Sequence, residues 1–201
     1  MRALVRRLLT PADAEVRLLL VEPDGTARAD ANLGAPLLLP GSFNPLHEGH
    51  ELLARAAEAQ TGGEVTFEIS VVNVDKPSLT EDEVLRRTEQ FRGRGRVALT
   101  RAPTFIEKGR LFPGSVFVLG WDTAVRLVEP RYYGGDAAMQ TAFEELRALG
   151  CRFLVAGRAL DGTFRTLMDI EVPEEFVAMF EAIPESTFRA DVSSTERRGS
   201  G

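Results

Sequence analysis

The stretch Leu37-Leu38-Leu39-Pro40-Gly41-Ser42-Phe43-Asn44-Pro45-Leu46-His47-Glu48-Gly49-His50 decides the fold. Its triple leucine is a short apolar run of the kind shown by a strand buried on both faces. Gly41 lets the backbone turn sharply, and Pro45 suits the non-helical approach to a helix. A helix then opens on His47 and His50, the only two histidines in the chain. Spaced i and i+3, they share one face of its first turn. A helix N-terminus offers free N–H groups and the positive end of the dipole, so it favours anions, phosphate above all. Imidazoles set there donate hydrogen bonds to phosphate oxygens, more strongly when protonated. Zinc fits less well, because the pair has no third ligand nearby and the single cysteine, Cys151, is remote. A Ser–His nucleophile pair would need the G-x-S-x-G elbow that is absent here.

Downstream, residues 51–60 form an amphipathic helix with Leu52, Leu53 and Ala56 inward, stopped by Thr61-Gly62-Gly63. Residues 65–74 read as a second strand. Thr80-Glu81-Asp82-Glu83 is a capping box that opens a helix running to about Phe91. Further strands are expected at 97–100, 115–120 and 152–157, with helices at 123–128 and 136–149, the last closed by Gly150. Strands alternating with helices predict an α/β, Rossmann-like open parallel sheet of about five strands with helices on both faces. Upstream, residues 15–21 and 26–29 flank the turn Pro23-Asp24-Gly25, which reads as a hairpin or edge element. The expected organisation is an N-terminal extension or edge element over 1–35 and one domain over 36–201.

A net charge of −6 leaves no electrostatic footprint for nucleic acid, so positive charge must be concentrated locally if the substrate is a polyanion. The basic turn Arg92-Gly93-Arg94-Gly95-Arg96 could touch RNA, but in an acidic chain a solvated loop is the better reading. A lone cysteine allows no intrachain disulfide, and Cys151 is expected to be a buried, inert thiol. The apolar run at the N-terminus is too short and too basic for a signal peptide or a span. A cytoplasmic enzyme without membrane or nucleic-acid partners is the expectation, with the oligomeric state open.

Open parallel sheets bind ligands beyond the carboxyl ends of their strands. Lys76 follows the second strand and either swings an ammonium over phosphate or is an ordinary surface lysine. Gly120-Trp121-Asp122 follows the fourth. Here the glycine would admit a nucleoside and the carboxylate would accept from ribose hydroxyls, unless Asp122 is simply a helix N-cap. Ser193, Ser194 and Thr195 make a hydroxyl-rich helix start, and Arg198, one turn later, reaches the same anion. Phe105 belongs to the core or stacks on a base.

Gly41-Ser42-Phe43-Asn44-Pro45-x-His47-x-Gly49-His50 resembles the first, H-x-G-H signature of the nucleotidylyltransferase superfamily. In this form it is most similar to nicotinamide and nicotinic acid mononucleotide adenylyltransferases. Ser193-Ser194-Thr195-x-x-Arg198 resembles the second signature, and Gly120-x-Asp122 the nucleotide-binding Gly-x-Asp between them. The resemblance implies transfer of a nucleoside monophosphate, AMP from ATP, to a phosphorylated acceptor such as a pyridine mononucleotide. Pyrophosphate would leave, and a dinucleotide such as NAD would form. It casts His47, His50, Lys76 and Arg198 as catalytic, and Gly41, Ser42, Phe43, Asn44, Gly49, Gly120, Asp122, Ser193, Ser194 and Thr195 as nucleotide-binding. Mg²⁺ would be held mainly by substrate phosphates and water, with no all-protein metal cage. The alternatives are a related transferase that uses CTP or another acceptor, and a nucleotide-binding module without turnover. The cytidylyltransferase branch usually carries an Arg-Thr-x-Gly run before its serines. This chain has none there, which favours ATP.

Overall fold

Leu37, Leu38 and Leu39 alternate between two apolar clusters, one on each face of a sheet, and all three are buried. The computed structural model describes residues 1–10, 16–72 and 77–189. In chain order the elements are helix α1 (Arg2–Leu9), strands β1 (Leu18–Val21), β2 (Ala27–Ala29) and β3 (Leu37–Pro40), helix α2 (Glu48–Thr61), strand β4 (Val65–Ser70), helix α3 (Glu81–Glu89), strand β5 (Val97–Thr100), helix α4 (Phe105–Leu111), strand β6 (Val116–Gly120), helices α5 (Trp121–Leu127) and α6 (Asp136–Ala148), and strands β7 (Arg152–Ala156), β8 (Arg158–Leu160), β9 (Thr163–Arg165) and β10 (Phe180–Ile183).

The main sheet runs β10-β7-β6-β3-β4-β5-β1-β2. Its six strands from β10 to β5 are parallel, and β1 and β2 add to the β5 edge antiparallel. The chain lays down β3, β4 and β5 outward in one direction, then returns across β3 to lay down β6, β7 and β10 in the other. This is the doubly wound order, and its switch point lies between β3 and β6. One face carries buried residues of α1, α2 and α3, including Val5, Leu53 and Val84. The other carries α5 and α6 through Ala124, Leu127, Met139 and Phe143, with α4 packed alongside through Ile106.

The fold class is as expected, but the strand count is not: the main sheet has eight strands, not about five. The upstream hairpin of β1 and β2 lies at the edge of this sheet, with Leu19 opposite Leu99 in β5. Strand β10 went unread because Phe180-Glu181-Ala182-Ile183 is a short edge strand with two exposed residues and no clear alternation. Helix α1 has no side-chain cap to announce it, yet Val5 and Leu8 are fully buried. Helix α4 does carry a capping box, Thr104 with Glu107, whereas at α3 only the first half of the expected box forms: Thr80 accepts from the Glu83 N–H, and the Glu83 carboxylate goes to Arg86 and Arg87. In α2 the inward face is Leu53, Ala54, Ala56 and Ala57, so Leu53 and Ala56 lie as expected and Leu52 alone does not, being exposed. Gly62, at φ 72°, ends the helix as read.

Two expectations about single residues resolve here. Cys151 is buried against Ser115, and burial raises its thiol pKa, which keeps it protonated. The three arginines of 92–96 are paired to Glu89, Glu51 and Glu64, so the loop's charge is spent within the protein. Among the described residues, no helix is long and apolar enough to cross a membrane.

Candidate active site

The turn between β3 and α2 is built from below by an aromatic ring. Phe43 has φ 42° and is 1% exposed, its ring tucked beneath the turn edge-on to Phe67, Phe91 and His50 at centroid distances of 5.4, 5.3 and 4.9 Å. A Cβ on Gly41 would lie 2.7 Å from that ring, so only glycine leaves room for it. The Gly41 N–H donates to the Glu68 carbonyl at 2.9 Å, which holds the start of the turn on β4. Phe43 therefore supports the site from inside the core. Ser42 is exposed at the sheet's C-terminal edge, and Asn44 accepts a hydrogen bond from Arg86.

His47 is the N-cap residue of α2, Gly49 is its second helical residue and His50 its third. The two imidazoles stack with centroids 3.7 Å apart and planes inclined by 18°. The His47 N–H donates to Nδ1 of His50 at 3.3 Å. That bond requires Nδ1 to be unprotonated, so the neutral ring carries its proton on Nε2, where it can be donated outward. Burial, then the neighbouring His47, lowers the His50 pKa to about 4, so the ring is uncharged at neutral pH. The first turn of α2 also holds Glu48 and Glu51, which oppose an anion. Glu51 is turned away onto Arg94 at 2.7 Å.

Strand β6 lies beside β3, with Leu38 opposite Phe117, so the turns that follow the two strands leave the sheet as neighbours at the same edge. Gly120 is the N-cap of α5, and a Cβ there would meet nothing within 4 Å. No packing in the protein thus demands glycine at this place. Asp122 is not the N-cap. It sits two residues into the helix and pairs with Arg158, which follows β7 across the crevice. Trp121 donates from Nε1 to the Thr166 carbonyl at 3.0 Å, fastening the segment after β9 to the start of α5. Phe105 is partly buried and packs against the core, its ring edge-on to Phe117 and Phe153 at 5.4 and 6.1 Å.

The fold thus brings Gly41, Ser42, Phe43, Asn44, His47, Gly49 and His50 into one turn, with Gly120 and Asp122 in the neighbouring one. Lys76, Ser193, Ser194, Thr195 and Arg198 lie outside the described residues. Reading the sequence missed Arg158, although Ala156-Gly157-Arg158 sits at a strand's carboxyl end, the same cue that marked Lys76. It also missed the α3 side chains that hold the turn, for which no local signal exists. No three His, Cys, Asp or Glu side chains among the described residues are grouped to hold a metal.

In a doubly wound sheet, ligands bind beyond the carboxyl ends of the strands at the switch point, which is where these two polar turns lie. A family model described as cytidylyltransferase-like matches residues 38–200, and the chain belongs to that family, within the nucleotidyltransferase superfamily. The match includes the 193–198 segment. No curated protein matches the chain.

Proposed function

We propose that this protein is a nucleotidylyltransferase that moves AMP from ATP to a phosphorylated acceptor, with a pyridine mononucleotide as the leading candidate. A phosphate oxygen of the acceptor attacks the α-phosphorus. The new P–O bond forms as the bond from the α-phosphorus to the α–β bridging oxygen breaks, and pyrophosphate leaves with that electron pair. This chemistry needs in-line positioning and neutralisation of phosphate charge, with no covalent enzyme intermediate.

The observation that carries the reading is the stacked His47–His50 pair at the N-terminus of α2, beside the switch point of the sheet. His50 would offer Nε2–H to a phosphate oxygen, its ring fixed by the His47 N–H. A bound triphosphate would raise the His50 pKa from its low resting value and so strengthen the donor in the charged complex. Asp122 is oriented by Arg158 and would take the ribose hydroxyls with its remaining lone pairs. From the resemblance, Lys76, Ser193, Ser194, Thr195 and Arg198 would hold the outer phosphates. Mg²⁺ carried by the triphosphate would supply further charge neutralisation.

The cytidylyltransferase-like family match favours a second reading, in which CTP is the donor. One experiment separates them: incubate the protein with Mg·ATP or Mg·CTP and a panel of phosphorylated acceptors, and measure pyrophosphate release. Turnover with ATP and a pyridine mononucleotide is the expected result. Turnover only with CTP selects the second reading. Nucleotide binding without turnover on any acceptor leaves a binding module.

A further inference from the structure

The turn that carries the histidines is irregular from Ser42 to Leu46, so its backbone groups have no strand or helix to satisfy them. Helix α3 and the residue after it supply the partners from more than 40 positions away. Gln90 donates from Nε2 to the Phe43 carbonyl at 3.0 Å and accepts at Oε1 from the Leu46 N–H at 2.8 Å. One side-chain amide therefore spans the turn as a neighbouring peptide group would, and Leu46 immediately precedes His47. The same Nε2 donates to the Arg87 carbonyl at 3.2 Å, which fixes the amide's orientation. Arg87 donates from Nη1 to the Ser42 carbonyl at 2.9 Å. Its guanidinium is held in turn by Glu83, which receives Nε at 2.8 Å and Nη2 at 2.7 Å.

We propose that Gln90 and Arg87 are positioning residues, fixing the 42–46 backbone so that His47 and His50 keep their stacked geometry toward the substrate phosphates. The proposal rests on the phosphate-binding reading of the two histidines. A general structural role for α3 would affect stability alone. A positioning role must also be felt at the imidazoles, because the ring of His50 lies against Phe43, whose carbonyl Gln90 holds. Among the described residues, burial and His47 are what shift the titration of His50.

The test uses the chain's two histidines as reporters. Their C2–H resonances are followed by NMR against pH in the wild type, in Gln90→Met, which keeps the bulk but loses both hydrogen bonds to the turn and the one to Arg87, and in Glu89→Gln. Glu89 is on the same helix but pairs with Arg92. In Gln90→Met the low His50 midpoint is expected to rise by a unit or more toward that of a free imidazole, with the ring-current difference between the two histidines reduced. In Glu89→Gln both curves should match the wild type. In the transfer reaction kcat should fall about tenfold or more, while the nucleotide KM stays within about twofold. Wild-type titration curves in Gln90→Met, or equal shifts in Glu89→Gln, would overturn the proposal. If Gln90→Met does not fold, Arg87→Lys decides by the same curves, because it keeps the charge but loses the planar fork that reaches Ser42. Because the NMR result needs no turnover, a failure of the proposed activity and a failure of this positioning role stay distinguishable.

Discussion

The ring of Phe43 folds back over Gly41 so closely that a Cβ at position 41 would stand 2.7 Å from it. That contact binds the turn's shape to the core, because Phe43 is also packed on Phe67 and Phe91. Replacing Gly41 with Ala must push the ring or the turn aside. Overpacking of this kind costs about 1–3 kcal/mol. Urea denaturation of Gly41→Ala should show that loss, and its histidine resonances should move, since Phe43 touches His50. An unchanged midpoint with unchanged resonances would contradict the packing described.

Gly120 makes the opposite prediction. A Cβ there has open space and the backbone φ is −75°, so Gly120→Ala should fold normally and lose no more than about 1 kcal/mol, the difference between glycine and alanine at a helix N-cap. If a nucleotide occupies the space above it, the nucleotide KM should rise about tenfold. Wild-type kinetics would place the nucleotide elsewhere.

Replacement of His47 or His50 by Ala should lower the rate of pyrophosphate release by about 10²–10³-fold, the usual effect of deleting one donor that stabilises developing phosphate charge. Circular dichroism checks that the fold persists. Full turnover in both variants would remove the pair from the mechanism.

The pH dependence of stability has a defined sign. The His50 pKa is about 4 in the folded chain and about 6.5 when unfolded, so between those values the unfolded state binds more protons. Stability is therefore fully present above about pH 6.5 and is lost as the pH falls toward 4, by at most about 3 kcal/mol for a group that keeps some exposure. The carboxylate of Glu83, lowered to about 2 by Arg86 and then Arg87, releases its share only at more acid pH. Denaturation curves from pH 7 to 4 should show a decline in the wild type that His50→Asn lacks.

Below the sheet's C-terminal edge, Lys108 of α4 is 5% exposed and reaches Glu68 of β4, itself 1% exposed, at 2.8 and 2.9 Å. Thr100 and the Ala102 carbonyl complete the network. Removing one partner strands a buried charge, so Lys108→Met should cost about 3–5 kcal/mol. The double variant Glu68→Leu with Lys108→Met should recover much of that loss, as calorimetry or urea melts would report.

How much was legible in advance follows from the range over which each signal acts. Leu37 to His50 determined the strand, the turn and the capped helix, because an apolar run, a glycine and helix-terminal chemistry all operate within a few residues. The Thr80 helix cap and the alternation of strands with helices settled the fold class in the same way. Tertiary structure alone decided the rest. It chose which edge received the 18–29 hairpin, paired Glu68 with Lys108 and Asp122 with Arg158, and set Gln90 against a turn 44 residues before it. It also decided that His50 rests uncharged, since burial is a property of the packed chain and not of a motif. Periodicity and turn residues report on neighbours along the backbone. Pairing and desolvation depend on which distant segments meet, and a linear string does not encode that locally.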